Sequence, residues 1–204
     1  MGWTSYYLGR GYTKRQACQE VLDDYLRGSH MEAVASALVK SDRGSDYEPI
    51  DYVGYVAFRF AEGTKAARCY GDKVMALIIL LGYRGGEAWY KEMDETEGPI
   101  DADCPLSVLD ELSPTESAFA EQWRARCFKN ALARRARDRA RRRLAKADPG
   151  TRVFFVVPAD GYPWPRDERV GFTVVRPHPG KTLLRSDDGT LFRTRGMPYE
   201  CLSV

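Results

Sequence analysis

Apolar positions in this chain recur with two periods, and the switches between them mark its elements. Thr4 to Leu8 is a short apolar stretch that reads as a strand, closed by Gly9 and Gly11. Thr13 is the kind of residue that caps a helix N-terminus, because its hydroxyl accepts a backbone amide two or three residues on. Ala17, Val21, Leu22, Tyr25 and Leu26 follow at helical spacing, so Lys14 to Leu26 is predicted as an amphipathic helix, ended by Gly28 and Ser29. Met31 to Lys40 carries Val34, Leu38 and Val39 among alanines and suits either strand or helix. Tyr52 to Phe60 alternates, with Tyr52, Gly54, Val56, Phe58 and Phe60 on one parity, and reads as a strand. Lys73 to Tyr83 is the strongest apolar run and is expected to be the central strand. Gly85-Gly86 turns the chain into a further strand around Trp89 and Tyr90. A strand, a helix and then several strands argue for an antiparallel sheet with helices packed on one face.

Lys91 to Cys104 breaks this pattern. It is acidic, with Glu92, Asp94, Glu95, Glu97, Asp101 and Asp103 around Gly98-Pro99, and is expected to be irregular. Pro105 suits the first turn of a short helix carrying Leu106, Val108, Leu109 and Leu112. Ser113-Pro114-Thr115-Glu116 joins an N-cap serine, a proline at the first helical position and a glutamate three residues after the cap, a start signal for a long helix. Phe119, Trp123 and Cys127 give its first half an apolar stripe, which fades into Ala and Arg after Asn130. With no breaker before Pro149-Gly150, the helix could exceed 30 residues. Its first half should lie on the core, and its second half should project or cross a cleft.

Pro149-Gly150 is the expected domain boundary. Beyond it come short strands at Arg152 to Val157, Val170 to Val175, Thr182 to Arg185 and Leu191 to Thr194, with Asp188-Gly189 as a hairpin turn and Tyr162 to Pro165 as a loop. The expected fold is α+β, in three parts. Residues 1–128 form an antiparallel sheet with packed helices, 129–148 a basic helical extension, and 149–204 a small β-barrel of the SH3-like kind.

Charge sharpens this picture. Arg126 to Lys146 holds ten Lys and Arg residues, eight of them Arg, against one acid, Asp138, for a formal +9. The whole chain is only +2, so the remainder carries −7. Such asymmetry points to a polyanionic partner or to pairing with acidic surfaces. Arginine suits bidentate phosphate contacts, and each contact releases counterions. Arg134, Arg135, Arg137, Arg139, Arg141, Arg142 and Arg143 are the candidate phosphate ligands, spread around the helix and without interleaved aromatics for base stacking.

Other chemistries find less support. Cys18, Cys69, Cys104, Cys127 and Cys201 are scattered, with no Cys-x-x-Cys half-site, and read as free, largely buried thiols. His30 and His178, the two histidines, sit in surface-loop contexts. Asp94, Glu95, Glu97, Asp101 and Asp103 could hold a hard cation or form an acidic docking surface, but their spacing fits neither an EF-hand loop nor a Walker motif, and turn and capping roles explain them better. Gly9-Arg10-Gly11 and Gly82 to Gly86 read as turns, and Trp3, Tyr6, Tyr7 and Tyr12 as core aromatics. The longest apolar run, Val74 to Leu81, is far below the roughly 20 residues of a membrane span. The start has no secretory pattern, and Tyr6 replaces the Ser or Thr of a myristoylation signal, so a cytoplasmic location is expected. No catalytic residue, metal ligand or cofactor is assigned.

Met1-Gly-Trp-Thr-Ser-Tyr6, Met93-Asp-Glu-Thr96 with Gly98-Pro99, Cys104-Pro105, and Trp123-Arg124 with Cys127 occur in an order that resembles an uncharacterised family of bacterial proteins found on phages and other mobile elements. The resemblance covers residues 1 to about 128 and brings no established activity. It implies a mobile-element setting. The expected function is therefore a non-enzymatic phage or mobile-element accessory protein that binds nucleic acid or a nucleoprotein complex through the arginine-rich helix. The alternatives are a protein–protein module, such as an inhibitor of a host defence system, and a metal-dependent enzyme built on the acidic loop.

Overall fold

The central apolar run does become the middle of a sheet. The structure, a computed structural model, describes residues 2–41, 50–99, 101–156, 169–178, 181–194 and 202–203, with 155–156, 169 and 202–203 described by backbone alone. The chain divides into two compact units, Met1–Ala131 and Leu132–Val204.

The first unit holds β1 (Thr4–Tyr7), α1 (Lys14–Gly28), β2 (Met31–Lys40), β3 (Tyr52–Phe60), α2 (Lys65–Tyr70), β4 (Met75–Arg84), β5 (Glu87–Asp94) and α3 (Leu106–Leu109). It also takes the first half of α4 (Ala118–Lys146). The sheet runs β1-β5-β4-β3-β2, and every neighbouring pair is antiparallel. Arg84 pairs with Glu87, so Gly85-Gly86 is a two-residue hairpin loop, and both glycines have the positive φ (+65° and +102°) that this turn demands.

Strict alternation sends the two parities of β3 and β4 to opposite faces. Val56, Phe58, Leu77, Ile79, Leu81 and Tyr83 meet Ala17, Cys18, Val21 and Leu22 of α1. Val53, Tyr55, Ala57, Ala76, Ile78 and Leu80 meet Val108 of α3 and Trp123 and Cys127 of α4. The sheet is therefore covered on both faces, not on the one face expected. The two central strands have no polar side because neither side meets water. Each such buried aliphatic contributes about 1.5–3 kcal/mol. Gly54 sits where α1 crosses β3: a Cβ there would lie 3.1 Å from Leu22 Cδ1. Thr13 caps α1 and Gln16 reaches back to it, forming a full capping box.

One open reading is resolved and two local expectations are corrected. Met31–Lys40 resolves to an edge strand, because pairing with β3 outweighs its alanines. The acidic stretch is not irregular from Lys91, because β5 continues to Asp94 against Leu77. The long helix begins at Ala118 instead of at Ser113. There the Ser117 Oγ accepts the Ala120 amide, while Ser113 exchanges hydrogen bonds with the backbone of Val74.

The second unit contains the rest of α4 with β6 (Arg152–Val156), β7 (Arg169–Arg176), β8 (Leu183–Ser186), β9 (Leu191–Arg193) and β10 (Leu202–Ser203). Its antiparallel sheet runs β10-β6-β7-β8-β9. Asp188-Gly189 makes the expected tight turn: Thr190 donates its amide to the Asp188 carboxylate, and Gly189 has φ +89°. Val153, Phe172, Val174 and Leu184 form the core with Ala140 and Leu144 of α4. The basic half of the helix therefore does not simply project; it is the helical layer of this unit. The expected Tyr162–Pro165 loop lies outside the described residues.

Candidate nucleic-acid interface

The second half of α4 is built almost wholly from alanine, arginine, leucine and lysine, the strongest helix formers, so propensity favours a helix here. Burial nonetheless selects one line of it. Ala140 and Leu144 are buried, and Ala133, Ala136 and Ala147 are half-buried. These positions follow the three- and four-residue steps of a single helix face. The arginines do spread around the rest of the helix, but one line of small residues is turned to the core. Alanine carries too weak an apolar signal to show as a stripe, yet alanines form the core face.

Turning about 100° per residue from that face, Arg135, Arg139, Arg142 and Lys146 fall in a second line on the far side. All four are exposed, as are Arg137, Arg141 and Arg143, while Arg134 is half-buried. Arg134 and Arg137 each engage a partner. Among the described residues, no carboxylate lies in ion-pair range of Arg135, Arg139, Arg141, Arg142 or Arg143. Like charges meet at Arg135/Arg139, Arg139/Arg143, Arg137/Arg141 and Arg142/Lys146, each four residues apart, with Asp138 as the sole acid among them. Each such pair costs a few tenths of a kcal/mol, a penalty that an external anion would relieve. Arg143 and Lys146 also occupy the last turn, where the helix dipole favours cations.

The first half of α4 treats its cations differently. Arg124 makes a bidentate pair with Glu95: Nε to Oε2 and Nη2 to Oε1 are both 2.6 Å, and Nη1 donates to the Ser113 carbonyl at 2.6 Å. The Glu95 side chain is 4% exposed. Arg126 donates to the Pro99 carbonyl, Trp123 Nε1 to the Asp101 carbonyl, and Asn130 to the Ala102 carbonyl. Asp94 caps the short 3-10 turn Glu95–Glu97 by accepting the Thr96 amide. Asp103 meets Tyr55 through its backbone amide, which donates to the Tyr55 hydroxyl. The acidic segment is thus pinned along α4 by Arg124, Arg126, Trp123 and Asn130, and its most buried carboxylate is committed to Arg124. Among the described residues, no group of three His, Cys, Asp or Glu side chains is disposed to hold a metal ion.

The remaining candidates are dispersed. His30 and His178 are both exposed. Cys18, Cys104 and Cys127 are buried free thiols and Cys69 is exposed, while Cys201 lies outside the described residues. Burial, reinforced by Asp51, pushes the Cys18 thiol up to about 12. Tyr6 and Trp3 pack at core margins, but Tyr7 and Tyr12 are exposed. Sequence reasoning missed Asp51, which accepts from Lys14 and from the Tyr83 amide and ties α1 to β4. Among the described residues, no helix is long and apolar enough to cross a membrane.

Comparison with protein-family models, with curated proteins and with solved structures found no match.

Proposed function

We propose that the protein is a non-enzymatic nucleic-acid-binding protein whose contact surface is the outward side of the second half of α4. The observation that carries this reading is the line Arg135, Arg139, Arg142 and Lys146, exposed opposite an Ala/Leu core face. A rigid cylinder studded with guanidinium groups can lie along a phosphate backbone and release its counterions. Because the helix is already held by the sheet of its own unit, binding needs no ordering of the segment, which lowers its entropic cost. The strand order of that sheet, last strand beside the first, supports reading the unit as a small half-open barrel of the SH3-like kind. The order of motifs in residues 1 to about 128 is the basis for placing the protein on a phage or other mobile element.

The test is a salt titration of full-length protein against duplex DNA and duplex RNA by fluorescence anisotropy. The expected result is affinity at ~50 mM salt that falls steeply as salt rises. Replacing Arg135, Arg139 and Arg142 by alanine should lower the slope of log K against log salt by about three. No affinity at low salt, or affinity indifferent to the triple substitution, would overturn the reading.

A further inference from the structure

The second unit carries another group of cations on the opposite face of its sheet. Phe172 and Val174 of β7 point into the core, so simple alternation would send Arg176 inward as well. A register shift between Val174 and Arg176 prevents this, pairing Val174 with Leu184 but Arg176 with Leu183. Bulges of this kind re-aim side chains. Here the bulge turns Arg176 to the outer face, in one row with Leu183 and with Arg193, which pairs with Leu183 on β9. Lys181 and His178 come from the connection between β7 and β8. Together the five residues line a pocket of about 260 Å³.

The pocket is held in shape from beneath. Thr182 is buried, accepts the His178 amide at 3.1 Å and donates to the His178 carbonyl at 2.9 Å, while its own carbonyl accepts the Thr194 amide. Among the described residues, no carboxylate lines the pocket, and Arg176, Lys181 and Arg193 have no ion pair. Its volume falls below the ~300–1,000 Å³ of drug-sized ligand sites, which suits a small anion. Two forked guanidinium groups and an ammonium around an apolar floor, Leu183, match the several oxygens of a tetrahedral oxyanion.

We propose that Arg176, Lys181 and Arg193 form a phosphate-binding pocket, separate from the arginine face of α4 and independent of what that face binds. The phosphate could be free or belong to a nucleic-acid terminus, and competition separates these sources. Isothermal calorimetry of the full-length protein with inorganic phosphate should show saturable binding. R176Q/R193Q should weaken that binding at least tenfold, and R135A/R139A/R142A should leave it unchanged. Both variants alter exposed side chains, and circular dichroism checks that each remains folded. A 5′-phosphorylated oligonucleotide that displaces phosphate from the triple variant assigns the pocket to strand ends; failure to displace it assigns the pocket to free phosphate. Absence of phosphate binding by the unaltered protein, or binding unaffected by R176Q/R193Q, would overturn the proposal.

Discussion

The two halves of α4 use the same residue type for opposite ends. In the first half, Arg124 is largely buried and spends its donors on Glu95 and the Ser113 carbonyl, and Arg126 meets the Pro99 carbonyl. In the second half, Arg135, Arg139 and Arg142 are exposed, crowded by like charges, and without a carboxylate in range among the described residues. A paired, desolvated guanidinium is part of the framework, since removing its partner strands a charge away from water. An unpaired guanidinium in solvent adds little to stability and is available to something else. Charge density along a sequence does not separate these roles; neighbours and burial do.

The sharpest way to break the comparison is in the first half. Trp123→Ala removes a fully buried indole and its bond to the Asp101 carbonyl, and should cost about 4 kcal/mol in urea unfolding. Glu95→Ala leaves the Arg124 guanidinium without its carboxylate and should cost about 3 kcal/mol. Pairing it with Arg124→Met should restore much of that loss, which a merely local packing defect would not allow. Leu144→Ala, within a face otherwise of alanines, should cost about 2 kcal/mol, with loss of hydrogen-exchange protection at Phe172 and Val174 before Ile78 and Ile79. R135A/R139A/R142A should shift stability by under ~0.5 kcal/mol per site while greatly reducing nucleic-acid affinity; a large stability loss would erase the distinction between the halves.

A further contrast, a dependence of stability on pH, emerges only above neutral pH. Burial raises Cys18 from 9.0 to about 12, and Tyr6 and Tyr25 from 10.0 to about 12, with Asp24 adding to Tyr6 and Glu92 to Tyr25. Tyr55 also titrates above its ordinary range, chiefly through burial. The unfolded chain releases these protons first, so the stability they contribute is whole below pH 9 and declines as pH rises toward 12. All four lie in the first unit. Exchange measured at pH 7 and at pH 11 should therefore show a preferential loss of protection there, with tyrosine absorbance reporting the delayed ionisation.

Much of the first unit was legible because its two central strands bury nearly every position and so stand out as long apolar runs. β3 runs over the residues that the alternation marks, and β4, the strongest apolar run, is the middle strand. Thr13 announced α1. What escaped has physical causes. α2 buries no residue, so it leaves no periodic trace. Ser113 carries the right chemistry for a cap but spends its hydroxyl on Val74, a contact visible only in three dimensions. At the candidate interface, the arginines were readable but their sidedness was not, because alanine marks a core face only weakly. The turn of Arg176 to the outer face was hidden for another reason: a bulge breaks the very alternation from which orientation is read.

The alanine line on α4 has a consequence for how such a gene can vary. Ala140 and Leu144, with the half-buried alanines beside them, confine the core contacts of this half to one strip of the cylinder, and Arg135, Arg139 and Arg142 lie exposed beyond it. Codons for the outward positions can drift, lose arginines or acquire new chemistry while the scaffold stays intact. Were that face the contact surface proposed above, its specificity would be open to change by single steps, without passing through variants that fail to fold.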